Sequence, residues 1–111
     1  MTTLGDRTCR ERKGEPALDR TKAQAMLSEI PGWVLNDTAS KISRAFKFGN
    51  YYETLAFVNA LAWVVHREDH HPDLEVGYNR CKVHFSTHSV RGLSENDFIC
   101  AAKINALSAV V

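Results

Sequence analysis

The sequence predicts an α+β fold in which a four-stranded antiparallel sheet carries three helices on one face, in the order α-β-β-α-β-β-α. Three segments place apolar residues three and four positions apart, a spacing typical of amphipathic helices. Four shorter segments alternate apolar with polar residues and form two pairs, each joined by a short polar turn. Because hairpins separated by helices build an antiparallel sheet with its helices on one side, these patterns together indicate the α+β class.

The first half of the chain contains one short helix and the first pair of strands. Helical spacing of apolar residues predicts a helix over about residues 20–30, which ends where Pro31 and Gly32 interrupt the pattern. Residues 33–36 and 42–48 then predict two strands around a polar turn.

The second half begins with the longest apolar stripe, which predicts a helix from Tyr51 to about Asp69. Pro72 ends this helix, because proline disfavours helical backbone in the residue before it. Residues 74–78 and 81–85 alternate apolar with polar side chains and predict the second pair of strands.

A third helix is predicted after Ser94, whose hydroxyl can cap the exposed amides of the first turn. Asp97 stands three positions later and can bond back to the cap, so helix capping alone accounts for it. The apolar stripe of this helix consists of Cys100, Ile104, Leu107 and Val111.

Residues 1–18 are polar and aperiodic, and we expect them to form a flexible leader before a single domain at 19–111. No apolar stretch in the first twenty residues resembles a secretory signal, which favours a cytoplasmic protein. The three cysteines, Cys9, Cys81 and Cys100, are odd in number and widely spaced, so they predict reduced thiols rather than a disulfide framework.

Composition excludes several classes of protein. The formal net charge is +1, without the surplus of cations on which nucleic-acid binding and anionic-membrane binding depend. No run of about 18 apolar residues could span a bilayer. With 44% hydrophobic and 24% charged residues, the chain has the proportions of a globular domain rather than a disordered one.

All five histidines, His66, His70, His71, His84 and His88, fall within one stretch of the chain. Histidine is the side chain that most readily carries or releases a proton near neutral pH. His70 and His71 are predicted at the end of the long helix, and His88 is predicted to close the last strand. If these two ends meet, three imidazoles border one pocket.

The remaining candidates have structural interpretations. His66 suits the C-terminal end of a helix, where positive charge is favourable. His84 is four residues before His88, about 13 Å along an extended strand, so the two cannot act on one small group. We interpret His84 as structural and expect Trp33, Trp63 and Tyr51 to be core residues.

Three kinds of chemistry could use the histidine cluster. A metal site could take His66, His70 and His88 as ligands, but the intervening residues do not form the HExxH pattern. Nucleophilic catalysis by Cys81 or Cys100 is disfavoured, because both occupy apolar positions where a thiol is inert. General acid–base catalysis by paired histidines fits the pattern best.

The motifs around these histidines resemble those of the pterin-4a-carbinolamine dehydratase family. The resemblance rests on the segments at 70–73 (His-His-Pro-Asp), 78–79 (Tyr-Asn), 86–88 (Ser-Thr-His) and 92–97 (Gly-Leu-Ser-Glu-Asn-Asp). It covers roughly residues 20–111, and His70 and His88 are separated as in the family pattern. The chain departs from the family at His66, where an acidic residue is common.

This resemblance implies a lyase that dehydrates 4a-hydroxytetrahydrobiopterin to quinonoid dihydropterin and so recycles the pterin cofactor of phenylalanine hydroxylase and related enzymes. It implies no metal and no organic cofactor. The implied catalytic residues are His70, His71 and His88, of which His70 and His88 transfer protons and His71 helps to hold the pterin. Asp69, Ser86 and Thr87 are implied to line the same pocket.

Two further expectations concern partners. Edge strands of so small a sheet can pair with another subunit, so we expect a homodimer or homotetramer. Some members of the family are dimerisation cofactors of transcription factors, and this non-enzymatic role is the main alternative that the resemblance leaves open.

Overall fold

The computed structural model describes residues 3–108 and contains three α-helices and four strands within that range. In chain order these are α1 (Arg20–Leu27), β1 (Val34–Leu35), β2 (Ile42–Lys47), α2 (Tyr51–Glu68), β3 (Asp73–Val76), β4 (Arg80–Phe85) and α3 (Glu95–Ser108). Short 3-10 turns occur at Leu4–Asp6 and His88–Val90. The predicted order α-β-β-α-β-β-α is confirmed.

The four strands form one antiparallel sheet in the order β1-β2-β4-β3. In the central pair, Ile42 lies opposite Phe85 and Phe46 lies opposite Cys81, and all four side chains are buried. They belong to one parity of the pleat, so one face of the sheet is apolar. The helices cover this face: the Phe57 ring of α2 lies 4.7 Å from the Phe46 ring, centroid to centroid.

Both ends of α2 are fixed by local hydrogen bonds. At the start, the Asn50 side chain accepts from the Glu53 amide at 2.8 Å, and the Glu53 carboxylate accepts from the Gly49 amide at 3.0 Å. At the end, Asp69 adopts left-handed backbone (φ 52°, ψ 42°), which a short polar residue tolerates. This turn releases the chain toward Pro72, as the sequence predicts.

The structure differs from the expected flexible leader over residues 3–18, where the chain packs against the domain. Leu4 is 2% exposed and belongs to the core, and Arg12 is 7% exposed. The segment forms no α-helix or strand, so its sequence shows no apolar periodicity. Its backbone is held instead by hydrogen bonds to side chains of α2 and α3.

Of the three aromatic residues expected in the core, one is buried and two lie at the surface. Trp33 is the buried one, and its Nε1–H donates to Asn105 Oδ1 at 2.8 Å. Trp63 and Tyr51, by contrast, are 64% and 49% exposed. Both belong to α2, whose apolar residues extend around more of the helix than the sheet covers.

The remaining expectations for α3 fall partly within the described range. Cys100 and Ile104 are buried and Leu107 is half-buried, whereas Val111 lies outside the described residues. Over residues 3–108, every helix is too short or too polar to cross a lipid bilayer.

Candidate active site

A cavity of about 550 Å³ lies where the end of α2, the end of β4 and the start of α3 meet. Its fourth side is formed by residues 9–12, which we call the N-terminal strap. The lining residues are Cys9, Arg10, Glu11, Arg12, Glu68, Asp69, His70, His71, Ser86, Thr87, His88, Ser89 and Asn96. They include all six residues predicted to bind substrate: Asp69, His70, His71, Ser86, Thr87 and His88.

The turn that ends α2 places His70. The amide of Asp69 donates to the His66 carbonyl at 3.2 Å, and the amide of His70 donates to the Val65 carbonyl at 3.3 Å. This pair of bonds around a left-handed residue is a Schellman motif, which satisfies the last carbonyls of the helix. The His70 ring then lies nearly parallel to the Phe85 ring, with centroids 5.8 Å apart and an interplanar angle of 9°.

His70 is also held from α3 by a hydrogen bond between its Nε2 and Asp97 Oδ1, 2.6 Å long. Asp97 is fully buried, and its second oxygen, Oδ2, accepts from the Thr87 hydroxyl at 2.7 Å and from the Ser94 amide at 2.9 Å. An ionised carboxylate only accepts hydrogen bonds. Such a carboxylate keeps the proton of His70 on Nε2 and leaves Nδ1 as the basic nitrogen.

Asp97 shows what the sequence revealed and what it missed. Its bond to the Ser94 amide confirms the predicted capping role. Its contact with His70, from a helix that begins 25 residues later in the chain, was not predicted because capping already accounted for an aspartate there. The burial of this carboxylate beside a histidine indicates a functional role, but burial is visible only in the structure.

His71 and His88 border the same cavity and are exposed. The prediction that His88 closes the last strand is wrong, since β4 ends at Phe85 and His88 begins a 3-10 turn. The cause is an isolated bridge, in which the Thr87 amide donates to the Gly92 carbonyl at 2.7 Å. This bridge closes residues 88–91 into a small loop that presents His88 at the mouth of the cavity.

The other two histidines lie elsewhere. His66 is exposed on α2 and does not line the cavity. His84 is bound through Nδ1 to the Ser43 hydroxyl at 2.6 Å and through Nε2 to Glu75 at 2.5 Å. The hydrogen bond from His84 lowers the pKa of the Glu75 carboxyl below its ordinary value. His84 thus links β2, β4 and β3 on the face of the sheet away from the core.

Within residues 3–108, the histidines are not arranged as the alternative of a metal site requires. Among residues 3–108, no group of three or more histidine, cysteine, aspartate or glutamate side chains lies close enough to hold a metal ion. In particular, His66 does not share the cavity with His70 and His88.

Asn96 attaches the N-terminal strap to α3. Its Oδ1 accepts from the Arg10 amide at 3.2 Å and from Arg12 Nε at 3.1 Å, and its Nδ2 donates to the Arg10 carbonyl at 2.7 Å. On the other side, Glu68 Oε1 accepts from the Cys9 amide at 2.8 Å. Sequence reasoning missed this wall of the cavity, because an irregular segment gives no periodic signal.

Known proteins match this chain in sequence over nearly its whole length. The family model described as pterin 4 alpha carbinolamine dehydratase matches residues 16–107. A protein of Nitrosomonas eutropha is 55% identical over 106 residues, which are 94% of this chain and 92% of that protein. A protein of Stenotrophomonas maltophilia is 56% identical over 109 residues, 97% of this chain and 94% of that protein. Both carry the provisional name pterin-4-alpha-carbinolamine dehydratase.

A solved structure is similar as well. The crystal structure of a transcriptional coactivator/pterin dehydratase from Brucella melitensis superposes with a TM-score of 0.79 and 33% sequence identity. The superposition covers 83% of this chain and 98% of the Brucella chain.

Proposed function

Because this chain belongs to the pterin 4 alpha carbinolamine dehydratase family and is a dehydratase, we propose that it converts 4a-hydroxytetrahydrobiopterin into quinonoid dihydropterin and water, with His70 and His88 as the proton carriers. One observation carries this proposal: both imidazoles border a single cavity of about 550 Å³. A cavity of this size lies within the usual range for small-molecule sites, about 300–1,000 Å³.

The chemistry requires two proton transfers. The substrate carries its hydroxyl on the same carbon that is bonded to N5. Expulsion of hydroxide into a poorly solvated cavity is costly, so an imidazolium that protonates the leaving oxygen lowers the barrier. A neutral imidazole that takes the N5 proton lets the nitrogen lone pair form the new double bond. The C–O bond breaks, the hydroxyl leaves as water, and no oxidation occurs.

The surroundings of the two histidines favour different roles. Asp97 accepts from Nε2 of His70, which leaves Nδ1 to take a proton, and the buried carboxylate then stabilises the resulting imidazolium. We therefore assign His70 as the base. His88 is exposed at the mouth, where it can be protonated from solvent, and we assign it as the acid.

The other lining residues hold the pterin in this proposal. His71 borders the cavity beside His70, and Asp69, Ser86 and Thr87 supply polar groups for the heterocycle. The charged side chains of the lining are of both signs: Arg10 and Arg12 are basic, and Glu11, Glu68 and Asp69 are acidic. A cavity with mixed charge suits a neutral polar heterocycle better than a strongly charged ligand.

The direct test is the rate of carbinolamine dehydration above the spontaneous rate. We expect His70→Ala and His88→Ala each to lower kcat by about 10²–10⁴-fold, the usual contribution of one proton transfer. His66→Ala is the matched control, since His66 is exposed and outside the cavity. Near-wild-type turnover in either cavity variant, with an intact circular dichroism spectrum, would exclude that histidine as a proton carrier.

The same assay gives a pH dependence. One histidine must be neutral and the other protonated, so the rate of the wild-type protein should pass through a maximum and fall on both sides. A rate that stays flat between about pH 5 and pH 9 would contradict the paired-histidine mechanism.

A non-enzymatic binding role is the second candidate, and the description of the Brucella melitensis protein as a transcriptional coactivator/pterin dehydratase favours it. The two functions separate in one experiment. A folded protein that does not accelerate dehydration would favour the binding role, whereas acceleration supports the enzyme. A link to phenylalanine hydroxylase through the recycled pterin is part of the proposal and needs a coupled hydroxylase assay.

We also propose that the protein is a homodimer or homotetramer. Tyr52, Leu55 and Trp63 lie on one side of α2 and are 82%, 37% and 64% exposed. Large apolar side chains that are exposed together on one side of a helix commonly mark an interface. Sedimentation equilibrium decides the point: a monomer at micromolar concentration would refute this proposal.

A further inference from the structure

Two thiols lie in contact behind the cavity wall. Cys9 Sγ, on the N-terminal strap, is 3.6 Å from Cys100 Sγ, on α3. Cys9 is half-buried and borders the cavity, whereas Cys100 is fully buried. Cys81, the third cysteine, is buried in β4 and is paired with neither.

The contact is close enough for a disulfide with a small movement of the strap. A disulfide has an S–S length of about 2.05 Å, so the sulfur atoms must approach by about 1.6 Å. Cys100 is fixed in a helix within the core. Cys9 is in an irregular segment, held through its amide by Glu68, and rotation of its side chain and a shift of the strap can supply this movement.

We propose that Cys9 and Cys100 are an oxidation-sensitive pair that hydrogen peroxide closes into a disulfide, and that this bond lowers the dehydration rate. The inference goes beyond the proposed function, and only its second part depends on that function.

The chemistry balances with one peroxide for each pair. The Cys9 sulfur attacks a peroxide oxygen, an S–O bond forms, the O–O bond breaks, and the leaving hydroxide takes up a proton as water. The Cys100 sulfur then attacks the Cys9 sulfur, the S–S bond forms and the S–O bond breaks. The second hydroxide leaves with the Cys100 proton as water. The two thiols together lose two electrons, and the peroxide gains them.

Exposure decides which thiol reacts first. Cys9 can meet peroxide from the cavity, whereas Cys100 cannot be reached from solvent. The hydrogen bond with Cys9 and burial raise the pKa of the Cys100 thiol far above its ordinary value, so this thiol is the less reactive of the two toward peroxide. Cys9 is therefore the peroxide-reactive cysteine and Cys100 is the resolving one.

The bond would reach the active site through His70. Cys100 Sγ donates to the His70 backbone carbonyl with a sulfur–oxygen distance of 3.9 Å, and Cys100 follows Asp97 by three residues on α3. The disulfide removes this thiol hydrogen and draws the strap toward the helix that carries the partner of His70. Both changes disturb the positioning of His70.

The experiment treats the reduced full-length protein with hydrogen peroxide, blocks remaining thiols with iodoacetamide and maps peptides by mass spectrometry. We expect a Cys9–Cys100 crosslink, an unoxidised Cys81, and a dehydration rate that falls by about fivefold, the effect of one lost hydrogen bond. Dithiothreitol should restore the rate.

Three variants complete the test, each compared with itself before and after peroxide. Cys81→Ser should form the crosslink and lose rate as the wild-type protein does. Cys100→Ser should give no crosslink and should trap Cys9 as a sulfenic acid that dimedone captures. Cys9→Ser should give neither a crosslink nor an oxidised Cys100.

Two results would overturn the proposal. Oxidation of Cys9 in the wild-type protein without the crosslink would refute the pair, and a quantitative crosslink with an unchanged rate would refute its control of the site. If the reduced protein has no dehydratase activity, the proposed function fails, but the peptide map still decides whether the disulfide forms.

Discussion

Asp97 connects the candidate active site with the start of α3, because one buried carboxylate serves both. It accepts from His70, from the Thr87 hydroxyl and from the Ser94 amide. Replacement of a carboxylate that accepts from three donors destabilises the fold, since each donor left without an acceptor lowers the free energy of unfolding. Stability and the orientation of the base therefore depend on the same side chain.

Asp97→Asn is expected to lower the free energy of unfolding by about 1–3 kcal/mol. The asparagine side chain replaces one accepting oxygen with an NH2 group, which then meets a hydrogen-bond donor instead of accepting from it. It should also lower kcat more than it raises KM, because the positioning of His70 is altered. Urea denaturation and steady-state kinetics measure the two effects. Asp37→Asn, in an exposed turn, is the control; equal denaturation midpoints for the two variants would contradict this account.

At the scale of residues, the sequence predicted the histidines better than their partners. Pro72 and the end of the apolar stripe located His70 and His71 at a helix terminus, and the Ser-Thr-His motif marked His88. Neither the Asp97 contact nor the Asn96 contacts with the strap could be predicted. Such contacts join distant parts of the chain and require the relative placement of elements, which local patterns do not encode.

The N-terminal strap is the element whose role the sequence did not reveal. Asn96 makes three hydrogen bonds to Arg10 and Arg12, and Arg12 is almost fully buried. An irregular segment with one buried arginine has the composition of a disordered leader, although Glu68 of α2 binds the Cys9 amide and Asn96 of α3 binds both backbone groups of Arg10.

Asn96→Ala is expected to release the strap and to speed cleavage by trypsin after Arg10 and Arg12 by about tenfold, since the loss of these bonds favours local opening by about 1–2 kcal/mol. Mass spectrometry of timed digests measures the cleavage. Gln24→Ala, on the exposed face of α1, should digest like the wild-type protein. Equal cleavage rates in the Asn96 variant would show that the strap is held by other contacts.

The β3–β4 pair has a pH dependence of its own. The hydrogen bond from His84 lowers the pKa of Glu75 in the folded protein. A carboxyl with a lowered folded pKa stabilises the fold above its unfolded pKa, and this stabilisation disappears as the pH falls through the folded value.

Glu75→Gln should therefore lower the urea midpoint slightly at about pH 7, and this difference should disappear at acidic pH, once the pH has fallen through the lowered folded pKa of Glu75. Asp73→Asn, on the same strand and without an ion pair among the described contacts of residues 3–108, is the control. A difference that persists at the acidic pH would contradict the assignment.

For the molecule as a whole, the sequence predicted the class and the order of elements, because capping residues, proline and strand alternation are local signals that agree with one another. The strand order β1-β2-β4-β3 was not predicted, because it depends on which strand of one hairpin pairs with which strand of the other, and local patterns do not determine this. The exposure of Trp63 and Tyr51 could not be predicted from the sequence either, because an apolar residue on a helix can face either the core or another subunit.

The central claim is that the cavity between α2, β4 and α3 is the pterin site, with His70, His71 and His88 around one ligand. The most direct measurement is the nitrogen–proton NMR spectrum of the histidine side chains while a stable dihydropterin is added. We expect the resonances of these three imidazoles to shift with one common dissociation constant, while those of His66 and His84 stay in place. Saturation of the protein with ligand without a shift at His70 and His88 would contradict it.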